Sequence, residues 1–289
     1  MKLIFAGTPE FAVPSLALSL ERGYKPSLVL TQPDRPAGRG QALQPPPVKR
    51  VALESGLPVA QPERLADMRS QLEALSPDVM VVVAYAHKIP SWLLELPPWG
   101  CLNVHPSLLP RYRGASPVAA ALLNGDHEAG VSIMRLDDGW DTGPVLGRRA
   151  VPVRPDDTAG TLTDRLAMVG AELLTQVLAQ LQTGTAAAFP QDESQATYAP
   201  KLTREQGRLQ WSKPAQELAR EVRAYSPWPG SYTFWNGKLL KVLGAEAMGS
   251  EELGVKSEGR ERPFGRVLPG LRVTTGGGLL ALNTVQLEG

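Results

Sequence analysis

Short apolar runs alternating with amphipathic stretches constrain this chain more than any other feature. Residues 3–6, 28–31, 58–60 and 79–84 are almost continuously apolar and read as strands. Between them, residues 10–20, 47–55 and 63–75 read as helices. Strands apolar on both faces are buried only when helices cover both sides of a sheet, so the pattern predicts a parallel α/β fold. It continues through residues 101–104, a helix over 116–123 and a strand over 130–136. A long helix follows over 158–181, with Asp157 or Thr158 as its cap.

The character then changes. Residues 184–195 lack apolar periodicity and read as part of a linker. Beyond them comes one short helix, 214–224, and then short runs at 231–236, 239–243, 265–268, 271–274 and 279–282, separated by Gly and Pro. That spacing predicts a small antiparallel barrel or sandwich. The expected organisation is an α/β domain over 1–188, a linker over 189–206 and a C-terminal β domain over 207–289.

Several function classes drop out. Thirty Lys and Arg against 29 Asp and Glu leave a net charge of +1, which excludes a uniformly basic nucleic-acid coat but not a local patch. The longest apolar run, 79–86, is far shorter than the roughly 20 residues that span a bilayer, and no signal-peptide core follows Lys2, so a cytoplasmic protein is expected. A single cysteine, Cys101, and three scattered histidines make no zinc spacing, and no metal is expected. The first strand-to-helix turn, Gly7-Thr8-Pro9-Glu10, lacks G-x-G-x-x-G, and neither a Walker loop nor a G-x-S-x-G elbow occurs.

Chemistry concentrates in N-V-H-P-S-L-L-P-R-Y-R-G, residues 103–114. Asn103 and His105 stand two apart at a strand end and therefore share a face, at the carboxyl edge where open α/β sheets bind ligands. A neutral His beside an Asn offers a proton acceptor or donor together with amide hydrogens, a set suited to a developing oxyanion. The same pair also suits a hydrogen-bonded histidine beside a structural asparagine. Downstream lies D-D-G-W-D-T-G, residues 137–143, where Asp141 could approach His105 and fix its tautomer. Ser107 with His105 and Asp141 superficially suggests a hydrolase triad, but two residues apart on one loop is poor geometry for it.

Residues 31–50 form a second concentration. Arg35, Arg39, Lys49 and Arg50 oppose Asp34 alone, five prolines stiffen the segment, and Gly38 and Gly40 flank Arg39. Such a segment is long for a connector, and Arg39 can present a planar fork to phosphate or base edges.

These stretches together resemble the folate-dependent formyltransferases and, within them, the family that acts on methionyl-tRNA. Residues 103–114 and 137–143 match the superfamily's signature; T-Q-P-D-R-P-A-G-R-G at 31–40 matches the segment with which the tRNA-specific branch grips the acceptor stem. Gly7 to Ala12, T-Y-A-P-K-L at 197–202 and S-P-W-P-G at 226–230 agree. The resemblance implies a Rossmann-like formyltransferase domain followed by an OB-like β-barrel. It assigns Asn103, His105 and Asp141 to catalysis and Ser107, Leu108, Leu109 and Pro110 to folate contact. Arg35, Arg39 and Lys49 then fall to tRNA contact. It implies a monomer that carries the formyl group of 10-formyltetrahydrofolate to the amino group of initiator methionyl-tRNA. The rivals are a formyltransferase for an amino-sugar nucleotide, a formyl-folate hydrolase, and a catalytically idle RNA-binding module.

Overall fold

The computed structural model describes residues 1–37, 41–248 and 263–288. They fall into two compact units. The first comprises Met1–Gly114, Ala129–Val151 and Thr163–Tyr198, and the second Ala115–Glu128, Pro152–Leu162 and Ala199–Gly289.

In chain order the elements up to the first sheet's far edge are β1 (Leu3–Gly7), α1 (Val13–Glu21), β2 (Pro26–Leu30), β3 (Arg35–Ala37), β4 (Ala42–Gln44), α2 (Pro47–Glu54), β5 (Val59–Ala60), α3 (Arg69–Leu75), β6 (Val79–Val83), α4 (Ser91–Glu95), β7 (Cys101–His105), β8 (Arg113–Gly114), α5 (Pro117–Asn124), β9 (Glu128–Arg135) and β10 (Val145–Pro152). They are followed by α6 (Ala159–Gln182), β11 (Tyr198–Ala199), α7 (Ala215–Ala224), β12 (Ser231–Trp235), β13 (Lys238–Met248), β14 (Val267–Leu268), β15 (Arg272–Thr274) and β16 (Leu279–Leu287).

Seven strands make the first sheet, in the order β10-β9-β7-β6-β1-β2-β5. From β7 to β5 the pairings are parallel, and β9 runs antiparallel to β7. The mostly parallel α/β expectation is met for the reason given by the pattern: every residue of β1 and of β6 is buried. Ile4, Leu30, Met80 and Cys101 from four adjacent strands join Leu72 of α3 and Leu93 of α4 in one core. Proline placement helps to set the helix starts. α2 begins with Pro47, and α5 with Pro117, at a position whose N–H has no intrahelical partner. Thr158 Oγ1 accepts from the Thr161 N–H at 3.2 Å, as expected of a cap.

The basic segment after β2 is not a plain loop. β3 and β4 pair antiparallel within it, with Pro36 opposite Leu43.

In the second unit five antiparallel strands lie in the order β12-β13-β16-β15-β14. α7 lays Leu218 and Val222 against Val242, Ala245, Val273 and Leu280. Antiparallel β structure after one short helix agrees with the sequence. Among the described residues, however, β12 and β14 remain the two edges of an open sheet, so the closed OB-like barrel is not seen. No helix among the described residues is long and apolar enough to cross a membrane.

Candidate active site

β7 ends at His105, and its register puts Asn103 beside Val82 on one side and Met134 on the other. Alternation along the strand sends the Asn103 and His105 side chains to the same face. His105 is buried, and its Nε2 lies 3.0 Å from the Tyr112 carbonyl oxygen. A carbonyl only accepts, so Nε2 carries a proton, and in the neutral ring Nδ1 keeps its lone pair. Nδ1 lies 3.7 Å from Asp141 Oδ2. The sequence had assigned the tautomer to Asp141. The Tyr112 carbonyl sets it instead, because it is within hydrogen-bond range and the carboxylate is not.

Asp141 itself takes a left-handed backbone, φ 55°, and accepts the Gly114 N–H on Oδ2 at 2.8 Å. Its neighbours have different duties. Asp137 accepts from the Gly139 N–H and the Thr142 hydroxyl and so closes the turn, whereas Asp138 accepts from the Ser91 hydroxyl. Gly143 permits the close approach that follows: a Cβ there would stand 1.9 Å from the Arg135 carbonyl oxygen.

The segment after His105 is clamped by a residue that sequence reasoning missed. Ser132, the β9 partner of His105, donates to the Ser107 carbonyl at 2.7 Å and accepts the Leu109 N–H at 3.0 Å. Ser107 donates in turn to the Arg111 carbonyl at 2.6 Å. Of the four residues expected at the folate, Ser107, Leu109 and Pro110 are buried and Leu108 is half-buried. Leu109 packs against Met134 and Val145. A serine inside a strand carries no local sign of such a role, since its partners lie about two dozen residues away.

The basic segment is more constrained than its charge suggested. Lys49 Nζ bonds both Asp34 oxygens at 2.8 Å, and Gln61 donates to the same carboxylate at 2.7 Å. The Lys49 and Gln61 bonds hold the Asp34 carboxyl below its ordinary value. Arg35 is exposed and bonds Gln32 Oε1 at 3.4 Å. Arg39 lies outside the described residues.

Two other chemistries find no support. Burial pushes the Cys101 thiol up to about 12, which keeps it from acting as a thiolate nucleophile. Among the described residues, no group of three or more His, Cys, Asp or Glu side chains could hold a metal ion.

An imidazole with one nitrogen anchored and the other facing a carboxylate, on a strand that also carries an amide to the carboxyl edge of an α/β sheet, is equipment that acyl transfer can use. Comparison with known proteins gives this class its name. Residues 1–178 match the formyl transferase family and residues 201–289 the formyl transferase C-terminal domain. The chain therefore belongs to the formyl transferase family. Its relatives include the methionyl-tRNA formyltransferase of Dehalococcoides mccartyi, 47% identical over all of this chain and 92% of that protein. That of Methylococcus capsulatus is 48% identical over 86% of this chain and 81% of its own length.

Solved structures share the fold. The N-formyltransferase of Helicobacter canadensis, in complex with folinic acid and dTDP-3-aminofucose, has a TM-score of 0.73 at 19% identity with both chains fully covered. The methionyl-tRNA formyltransferase of Clostridium thermocellum has a TM-score of 0.60 at 16% identity, over 86% of this chain and 94% of that one.

Proposed function

We propose that this chain transfers the formyl group of 10-formyltetrahydrofolate to the free amino group of methionine on initiator tRNA. The observation that carries the reading is the anchored His105 facing Asp141 in a chain that is 47% identical, end to end, to a methionyl-tRNA formyltransferase. The donor supplies an amide-like formyl carbon on a nitrogen leaving group. The residues here fit such a donor, since acyl transfer to an amine needs a base, an oxyanion donor and no metal.

The attacking amine must lose a proton. His105 Nδ1 is the free lone pair of the ring, and the imidazolium formed there faces the Asp141 carboxylate. The single ring N–H of neutral His105 is engaged by the Tyr112 carbonyl, so hydrogen bonding to the developing oxyanion falls first to the Asn103 amide. His105 contributes once protonated on Nδ1, and the same proton can pass on to the leaving nitrogen.

In this reading residues 1–188 form the catalytic domain, 189–206 the linker and 207–289 a tRNA-holding domain. The five antiparallel strands are the open face of an OB-like barrel. Two register shifts along β13, on either side of Gly244, support that assignment, because such irregularities bend a strand toward closure. Ser107 to Pro110 would face the folate, and Arg35, Arg39 and Lys49 the acceptor stem. We also read the protein as a cytoplasmic monomer.

The test is to incubate the purified protein with 10-formyltetrahydrofolate and charged initiator or elongator methionyl-tRNA, and to follow formyl-methionine release after hydrolysis. Formylation of the initiator species is expected. Transfer to an amino-sugar nucleotide with none to tRNA would replace this reading by that rival.

A further inference from the structure

We propose that Arg113 and Gln191 are positioning residues, and that they act by holding the Asp141 carboxylate toward His105. The inference rests on the reading of Asp141 as the partner of His105. Asp141 needs such support. Its left-handed backbone is unfavourable for a side chain with a Cβ, and its carboxylate makes no hydrogen bond to the imidazole at 3.7 Å. Something outside the turn must therefore set the distance between them.

Two elements distant in sequence do so. From one side the Gly114 N–H holds Oδ2 at 2.8 Å. From the other, Gln191 Nε2 donates to the Asp141 carbonyl at 2.8 Å and to the Gly143 carbonyl at 2.7 Å. Both amide hydrogens of Gln191 are thus used on the backbone that carries Asp141.

Arg113 decides which way the Gln191 amide faces. Its Nε and Nη2 donate to Gln191 Oε1 at 3.1 and 2.9 Å. A guanidinium has donors and no acceptor, so only the amide oxygen can turn toward it, and the NH2 must turn to the loop. The fully buried Arg113 is itself fixed by a fork onto Glu193, with Nη2 to Oε1 at 2.6 Å and Nη1 to Oε2 at 2.8 Å. One two-residue strand therefore serves Asp141 twice: Gly114 binds the carboxylate directly, and Arg113 orients the glutamine that binds its backbone.

The experiment uses Gln191→Glu. That variant keeps the shape and an acceptor for Arg113 but sets a carboxylate oxygen against the two loop carbonyls. Gln191→Met, of similar length and without polar atoms, is the second variant should the first fail to fold. Each is made in wild-type and Asp141→Ala backgrounds, with initial rates taken against methionyl-tRNA concentration.

In the wild-type background kcat should fall by about ten- to a hundredfold, the scale of a small misplacement of a reacting group, with KM for tRNA within about twofold. In the Asp141→Ala background the same change should cost less than about twofold, because the residue through which it acts is gone. Unchanged kcat in the first background, or losses that multiply in the second, would overturn the proposal. Amide exchange at Gly114, whose N–H is bound to Asp141, gives a readout independent of turnover. It should quicken in both Gln191 variants, and unchanged protection would also overturn the proposal. A wild-type protein that formylates no tRNA would instead remove the functional reading, while Gly114 exchange still reports on the clamp.

Discussion

The Nε2 of His105 lies 3.0 Å from the carbonyl oxygen of Tyr112, and this contact determines which imidazole nitrogen is available for chemistry. Tyr112 takes φ 58°, and its N–H is held by Thr197 Oγ1 at 2.8 Å. The carbonyl that anchors His105 is therefore aimed by a backbone conformation which a distant residue helps to hold.

Replacing His105 by Ala should lower the formylation rate by roughly 10²–10⁴, the range for losing a general acid–base group. Binding of charged tRNA, measured by filter retention, should change little. Near-normal turnover would make His105 a structural residue.

Two aspartates of the turn, Asp141 and Asp138, should separate. Asp141→Asn keeps the acceptor for the Gly114 N–H but removes the charge facing Nδ1, and should cost about 10²-fold or more in rate. Asp138→Asn, which keeps an oxygen for the Ser91 hydroxyl, should cost less than about twofold by the same assay. Equal losses in the two variants would refute the distinct role of Asp141.

Gly143→Ala should be poorly tolerated because its new Cβ would meet a backbone oxygen, which cannot swing aside as a side chain does. A loss of about 1–3 kcal/mol is expected in denaturant unfolding, the usual cost of forced overpacking. An unchanged midpoint would show that the 135–143 backbone is free to shift.

Glu193 links the clamp to pH. Its hydrogen bond with Arg113 holds the carboxyl below the ordinary 4.5. The folded state therefore binds that proton less readily than the unfolded chain does. The resulting stability is complete above about 4.5 and is lost as pH falls through the lowered folded value. Melting temperatures of wild type and Glu193→Gln should differ by a constant amount at neutral pH and converge in acid. A gap that persists unchanged into strong acid would exclude this linkage.

Arg39→Ala should weaken use of methionyl-tRNA by about ten- to a hundredfold, the effect of one arginine on phosphate or base. The loss should shrink at higher salt. Lys49→Ala should cost less on tRNA, because the ammonium is already committed to Asp34. Initial rates against tRNA concentration at two ionic strengths compare them, and a larger loss for Lys49→Ala would reverse the assignment.

The sequence by itself determined whatever depends on short-range pattern. Continuous apolar runs specified β1, β2 and β6, and period-two alternation placed Asn103 with His105 on β7. A five-residue helix such as α4 is too short to display periodicity. β10 escaped because it lies at the sheet edge, where one face is exposed and Arg148 and Arg149 interrupt the apolar run. The pairing of β3 with β4 was hidden in a segment whose charge and prolines read as loop.

Only the tertiary structure decided how the site is held. The turn bearing Asp141, the Tyr112 carbonyl, Ser132 and Gln191 reach one neighbourhood from sequence separations of 7 to 78 residues. Hydrogen bonds of that kind depend on strand register and on which backbone groups remain unpaired after the sheet has formed. Neither is written in local composition, so the sequence could offer candidate residues but not the groups that aim them.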